Sequence, residues 1–559
     1  MTDSLSPEGV ENDEDTAAVA SAGMGRASAI LAAGTVVSRV LGFGRTAVLT
    51  AVIGTATAGN AFAIGNQLPN NIYALIAGGV LSAVLVPQIV RAAAHADGGQ
   101  RYINRMVTLG AVLFAAITIV ATLAAPALVN LYASSSSSGR GFTPDAIALA
   151  TAFAYWCLPQ IFFYAMYSLL SEVLNARKVF GPFTWAPVLN NVVSIAGLVV
   201  FLLLFGAKDA NGAVGDWDTG KILLLGGSTT LAIVAQALVL FLFWRRAGLR
   251  FRPDFHWRGV GLRATGKSAG WLFGMVLVTQ VAGVFQSRVA SIASGDGASN
   301  FVLANSWLLI MLPFSVIAVS IVTAYFTRMS GHASSGDTPA LRSDVSESLR
   351  SIGLLMVFAT VVLAVVAYPF SRFFETSFGD VASMGNVVLA FAPGLILYTV
   401  LFVLQRVFYS LGDTRTPFLV QCVQSALFIG GALACMALPT QWIAVGIAAV
   451  TSITFSIQAI IVIVLVSRRI GGMDGRRVFL RHLQFLGLAL VSGAVGVLLL
   501  NLLGGMTPGG FALSGRLPAA VSLVVIAGAM GIVYLGLLAL FRNPELGAVI
   551  RTLRARIGR

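Results

Sequence analysis

Charge is scarce in this chain of 559 residues: Asp, Glu, Lys and Arg make up 10% of it, whereas 57% is hydrophobic. Soluble domains carry about 25% charged residues, so that class is excluded. Cysteine is scarcer still. Cys157, Cys422 and Cys435 all fall in apolar runs, which supports neither a disulfide framework nor a zinc site. The four histidines, His95, His256, His332 and His482, are scattered through polar connectors, so no His/Cys/carboxylate group has metal-ligand spacing. A GxxxxGK[ST] nucleotide loop is missing, as are Ser/His/Asp, Cys/His and paired-carboxylate arrangements, so the sequence does not read as an enzyme. No cofactor is implied. A coupling ion or the membrane potential is left as the energy source, with downstream consumption of product as the third route.

What the chain does have is apolar length. Runs of about 20 residues or more, each able to span a bilayer, recur near 28–53, 60–90, 106–132, 145–171, 183–206, 222–244, 268–294, 299–327, 351–371, 384–405, 416–437, 441–466, 483–503 and 517–541. The fold class expected is an all-α membrane protein of about fourteen transmembrane helices. The net charge of +14 is topological. With both termini in the cytoplasm, 28 of the 36 Lys and Arg fall on that side, five fall outside (Arg140, Lys208, Lys221, Arg372, Arg516), and three lie within spans. That is the positive-inside pattern of a plasma-membrane protein. It leaves weak attraction to membrane lipids and no case for nucleic acid.

The chain divides accordingly. Residues 1–27 form an acidic cytoplasmic tail without the basic start of a signal peptide. Spans one to six occupy 28–244, a basic connector 245–267, spans seven to twelve 268–466, two further spans 467–541, and a basic tail 542–559. A weak repeat relates the two sets of six. Val173 to Phe183 (VLNARKVFGPF) follows the fourth span and Val407 to Phe418 (VFYSLGDTRTPF) the tenth. Two lobes related as a parallel repeat around a central cavity are a common transporter construction.

The first span, within Thr35–Val90, organises the rest. Arg39 and Arg45 lie in it with no acidic residue. An arginine near the bilayer centre costs about 2.5–3.5 kcal/mol, so a pair demands a wet cavity and an anion. Six residues apart, they stand about 120° apart and can share one broad face. The second span adds Asn60, Asn66, Gln67, Asn70 and Asn71 around Pro69, then Gly78 and Gly79. Polar backbone freed by proline is tolerated at depth only where it is buried or lines a cavity. Arg288 is the third arginine within a span. Arg406, Asp413 and Arg415 are candidates for a gate or for a stabilised connector. Pro159, Pro313 and Pro393 are candidate bends.

SRVLGFGR (Ser38–Arg45), QLPNNIYALIAGGVLSAVLVP (Gln67–Pro87), Ala186, Pro187, Leu189 and Asn190, and LQRVFYSLGDTRTP (Leu404–Pro417) resemble the MviN/MurJ family. Those are lipid II flippases of the multidrug/oligosaccharidyl-lipid/polysaccharide exporter superfamily. The resemblance runs from about 28 to 541. It implies alternating access carrying a lipid-linked peptidoglycan precursor from inner to outer leaflet, with cell-wall synthesis proteins as further partners. It also implies that Arg39 and Arg45 meet the substrate diphosphate; the span positions themselves add Arg288 as an aid and Asn60, Asn66, Gln67 and Asn70 as further candidate contacts. The appended spans, about 483–541, would form a groove for the polyprenyl tail. The chain departs from the family pattern where relatives carry charge: at Asn60, Tyr73, Gly78, Leu308 and Met311, with Ser287 where some have Asp. Two rivals stay open: a multidrug or other lipid-linked oligosaccharide exporter of the superfamily, and a non-transporting cell-wall scaffold.

Overall fold

The computed structural model describes residues 33–77, 99–135, 141–177, 179–256, 266–294 and 297–547. Gly78 and Gly79, the terminal tails, the end of the second apolar run and the middle of the basic connector lie outside them. The helices are α1 (Ala33–Ile53), α2 (Thr57–Ile76), α3 (Gln100–Leu123), α4 (Pro144–Ala176), α5 (Phe180–Phe205), α6 (Thr219–Phe243), α7 (Gly266–Ser291), α8 (Asn300–Ser334), α9 (Thr338–Val365), α10 (Phe378–Ser410), α11 (Arg415–Ala437), α12 (Thr440–Ile470), α13 (Gly475–Leu502) and α14 (Arg516–Leu540). All but α2 are long and apolar enough to cross a membrane within the described residues, so the chain is a multi-pass membrane protein.

Local chemistry sets the helix ends. Thr143 accepts a hydrogen bond from the Ala146 amide ahead of α4, and Asp218 accepts one from Lys221 ahead of α6. Asp337 and Ser377 do the same for α9 and α10. Each satisfies an amide that has no partner within its helix. The α1–α2 turn is shorter than expected, since α2 begins at Thr57 and already contains Asn60. Gly54 turns it with φ +68°, and a Cβ on Gly59 would come within 2.3 Å of the Gly54 carbonyl.

The prolines behave differently from one another. Helix α4 breaks between Cys157 and Gln160, around Pro159. In α8 a wider, π-type turn over Phe314–Ala318 follows Pro313. Helix α10 runs unbroken through Pro393. A missing N–H can thus end a helix, widen one turn or be absorbed by the neighbouring packing.

Buried apolar side chains gather into two large cores, one built almost wholly from α1–α6 and one from α7–α12. The packing repeats with an offset of six helices. In the first lobe α1 lies on α5, α2, α3 and α6 on α4, and α5 on α6. In the second α7 lies on α11, α8, α9 and α12 on α10, and α11 on α12. Polar pairs repeat as well: Asn190–Gln236 joins α5 to α6, and Gln421–Gln458 joins α11 to α12. Helices α13 and α14 pack on α9, with the Tyr534 hydroxyl donating to the Leu354 carbonyl at 2.8 Å. Successive helices alternate between two ends of the bundle. One carries the start of α1 and the basic connector after α6, and is called the basic end; the other, with the α1–α2 turn, is the far end.

The lobes' interior packing depends on small residues. A Cβ on Gly394 of α10 would meet the Ser452 backbone of α12 at 2.6 Å, whereas one on Gly430 would meet nothing within 4 Å. Overpacking costs about 1–3 kcal/mol. Gly394→Ala is therefore expected to melt several degrees lower in detergent while Gly430→Ala melts with the parent; equal melting of all three would refute the packing account.

Candidate functional site

Helix α1 presents Thr35, Ser38, Arg39, Gly42, Arg45 and Thr46 to one polar cavity of about 550 Å³. Their spacing of three and four residues places them on one broad helical face. Tyr164 and Tyr167 of α4, and Thr184, Asn190 and Asn191 of α5, form the opposite wall, with Leu308 of α8 reaching in from the second lobe. These residues come from the basic-end halves of α1, α4 and α5, so the cavity lies toward that end.

The wall residues satisfy one another. Asn191 donates to the Ser38 carbonyl at 2.9 Å, fixing α5 against α1. A Cβ on Gly34 would come within 2.6 Å of Thr184 Cγ2, which shows how closely the two helices approach. Asn190 donates to Gln236 and accepts from Ser194, and the Tyr167 hydroxyl donates to the Phe183 carbonyl at 2.8 Å. The arginines are not so occupied. Arg39 is exposed and Arg45 half-buried. Among the described residues neither pairs with a carboxylate; the ion pairs lie elsewhere, at Arg105–Asp254, Arg328–Asp344 and Arg350–Glu545. The cavity is cationic and, among the described residues, without a built-in counterion. A phosphate or diphosphate suits it, because guanidinium donors match its oxygens two at a time.

The other expected contacts lie elsewhere. Arg288 is at the far end of α7, where it donates to the carbonyls of Asn130 (2.8 Å) and Leu131 (3.3 Å). It caps the last turn of the short helix Ala125–Tyr132, as a cation at a helix C-terminus does. Asn60 is fully buried at the far end and does not reach the arginine cavity. Its Oδ1 accepts from the Phe301 amide at 3.0 Å and its Nδ2 donates to the Thr55 carbonyl at 3.2 Å. Phe301 opens α8, so Asn60 caps a helix of the opposite lobe. Asn66 is half-buried, Gln67 and Asn70 are exposed, and none of the three lines the arginine cavity. Tyr73 stacks on Tyr164, 5.6 Å between centroids.

Arg406 lies over the rings of Phe326, Phe402 and Tyr409. Asp413 accepts from both the amide and the hydroxyl of Thr416. Burial raises its pKa, but those bonds outweigh that and hold the carboxyl below the usual range. Arg415 lies over Trp271. The three hold the α10–α11 connector in place.

Sequence reasoning missed the far-end seal. Phe43 of α1 stacks on Phe370 (5.4 Å) and meets Phe374 edge-on (5.2 Å), Asn305 donates to the Thr50 hydroxyl at 3.4 Å, and the Ser134 amide donates to Ser291 at 2.8 Å. With Asn60–Phe301 and Arg288, these join the lobes at the far end, while Gln280 to the Asn71 carbonyl (3.1 Å) joins them at mid-depth. A second feature is an apolar groove of about 390 Å³ among α9, α10, α12 and the first turns of α13, lined by Leu349, Val400, Ile463, Phe479 and Leu483. The groove expected from the last two spans therefore involves α13 with the second lobe, and α14 does not line it.

Known proteins resemble the chain along most of its length. The family described as "Lipid II flippase MurJ" matches residues 49–513. "Probable lipid II flippase MurJ" of Haemophilus influenzae is 27% identical over 450 residues, covering 76% of this chain and 82% of that protein. Its counterpart in Vibrio cholerae is 25% identical over 406 residues, covering 69% and 73%. Among solved structures, "Lipid II flippase MurJ, inward closed conformation" aligns with a TM-score of 0.66 at 17% identity, covering 90% of this chain and 98% of that one. An inward-facing multidrug resistance MATE family transporter of the MOP superfamily aligns at 0.60 and 17% identity, covering 78% and 96%; at that identity the likeness is one of fold.

Loss of the Asn60 acceptor would leave the Phe301 amide buried without a partner, at about 1–3 kcal/mol. In Asn60→Ala, hydrogen exchange over the first turn of α8 is expected to quicken about tenfold, whereas Asn60→Asp, which keeps an acceptor, stays protected. Unchanged exchange in the alanine variant would remove Asn60 from the seal.

Proposed function

Because the chain belongs to the lipid II flippase MurJ family, we propose that it carries lipid II from the inner to the outer leaflet of the bacterial plasma membrane, with Arg39 and Arg45 binding the diphosphate. The observation that carries this reading is the pair of guanidiniums, without a carboxylate partner among the described residues, on one wall of a cavity whose asparagines and Tyr167 are already hydrogen-bonded. An anion is the missing counterion. The basic end is cytoplasmic by the positive-inside pattern. The far-end seal then closes the outside, and the arginine cavity faces the leaflet in which the precursor is made.

The headgroup enters this cavity while the polyprenyl tail stays in the bilayer against the apolar groove. Rocking of the lobes breaks the Asn60–Phe301 and Thr50–Asn305 bonds outside and exposes the arginines there. Transport requires that substrate bind the two conformations differently. The membrane potential supplies a direction: each negative charge moved outward gains about 2.3 kcal/mol per 100 mV, inside negative, and the emptied cationic cavity is drawn back inward. The same arginines disfavour a pump for hydrophobic cations, since two uncompensated positive charges repel such substrates.

Charge-assisted hydrogen bonds contribute about 1.5–3 kcal/mol each. Arg39→Ala combined with Arg45→Ala is expected to weaken binding of a diphosphate-linked lipid about a hundredfold or more. In cells depleted of their own flippase, the variant should insert normally yet leave lipid II inaccessible from outside. Full complementation by the inserted double variant would overturn the diphosphate site and favour a scaffold.

A further inference from the structure

A second polar pocket, of about 520 Å³, lies between the lobes at the end assigned to the outside. The first lobe contributes Thr55 of the α1–α2 turn and the loop bearing Lys208 and Asp209; the second contributes Glu375, Asp380 and Gln441. Glu375 precedes α10 and is 1% exposed, and among the described residues neither of its carboxyl oxygens has a donor within hydrogen-bond distance, Thr55 being the neighbouring group able to supply one. Arg372 nearby does not neutralise it, because that guanidinium donates to the backbone carbonyls of Glu375 and Thr376. An ionised carboxylate held there is largely desolvated and has no ion pair among the described residues, and such a group tends to take up a proton instead.

We propose that Glu375 is a proton-binding site of the outer seal, protonated while the lobes are closed on the outside and deprotonated when they part. The proposal rests on the orientation and alternating access given above. Thr55 and Lys208 belong to one lobe and Glu375 and Asp380 to the other, so parting the lobes opens the pocket and returns the carboxyl to water. The proton leaves to, and comes from, the outer solution, and no other reactant is needed.

The charged groups facing the pocket set the balance. Burial, reinforced by Asp380, pushes the Glu375 carboxyl up to about 7, against the opposing pull of Thr55 and Lys208. Among the described residues Asp209 is the remaining charged residue on the pocket wall. A solvated glutamate titrates near ~4.3. The closed form therefore has its full advantage below that value, where both forms are protonated. It loses that advantage as pH rises through about 7.

The test uses the full chain in nanodiscs without lipid substrate. Spin labels sit at Gly215→Cys and Ala437→Cys, exposed positions on opposite lobes at the outer end, with Cys157, Cys422 and Cys435 replaced by alanine. Between about pH 5.5 and 8.5 the closed-to-open ratio should fall about thirtyfold in the parent. Glu375→Gln, which fixes the neutral form, should stay closed at every pH. Asp380→Asn should keep the response with a lower midpoint. A parent whose distance distribution ignores pH, or a Glu375→Gln variant that keeps the full response, overturns the proposal. The readout involves no lipid II, so its failure leaves the diphosphate site standing, and loss of the diphosphate site leaves this one standing.

Discussion

Two guanidinium groups on one membrane helix, with no carboxylate among the described residues to meet them, set the terms for the rest of the structure. Burying an unpaired cation in lipid is unfavourable, and burying it in a polar hollow is tolerable only while water or an anion can reach it. Helix α1 therefore needs a wet face, and α4 and α5 supply one from tyrosine, threonine and asparagine. Those neighbours are neutral, and Asn190, Asn191 and Tyr167 are already hydrogen-bonded elsewhere in the lobe, so they shape the hollow without supplying a counter-charge.

The second constraint is that the hollow must change sides. Apolar burial is concentrated inside each lobe, in two cores that share few side chains. Between the lobes the described contacts are a handful of hydrogen bonds and one cluster of phenylalanines, mostly at the far end. Rocking two rigid bodies breaks those and leaves the cores intact, which is the economy expected of hinge-like motion between packed units. Within that seal the neutral Asn60 amide supplies the acceptor that the opposite lobe's helix requires.

The sequence shows the architecture clearly because bilayer thickness dictates run length and because basic residues mark the connectors. Fourteen apolar runs and a repeat offset by six spans could be read from it directly. The arginine pair was legible for the same reason: charge at mid-span is costly and therefore conspicuous. Partners across helices were not. Asn60 and Arg288 carry the residue types of a binding site, yet one caps α8 and the other caps the helix ending at Tyr132, and only the tertiary arrangement reveals which carbonyl or amide each meets. Asn191 and Tyr164 line the cavity without any local anomaly to announce them, and Glu375 reads as an ordinary loop acid until the fold removes its water.

The central claim is that the cavity recognises two adjacent phosphates through paired guanidiniums. Native mass spectrometry of the protein with undecaprenyl diphosphate, undecaprenyl monophosphate and undecaprenol measures it most directly. The diphosphate should be retained over the monophosphate by on the order of tenfold, as one fewer charge-assisted contact implies, with the alcohol weaker still. Equal retention of all three would mean that the prenyl chain alone is bound, and would contradict it.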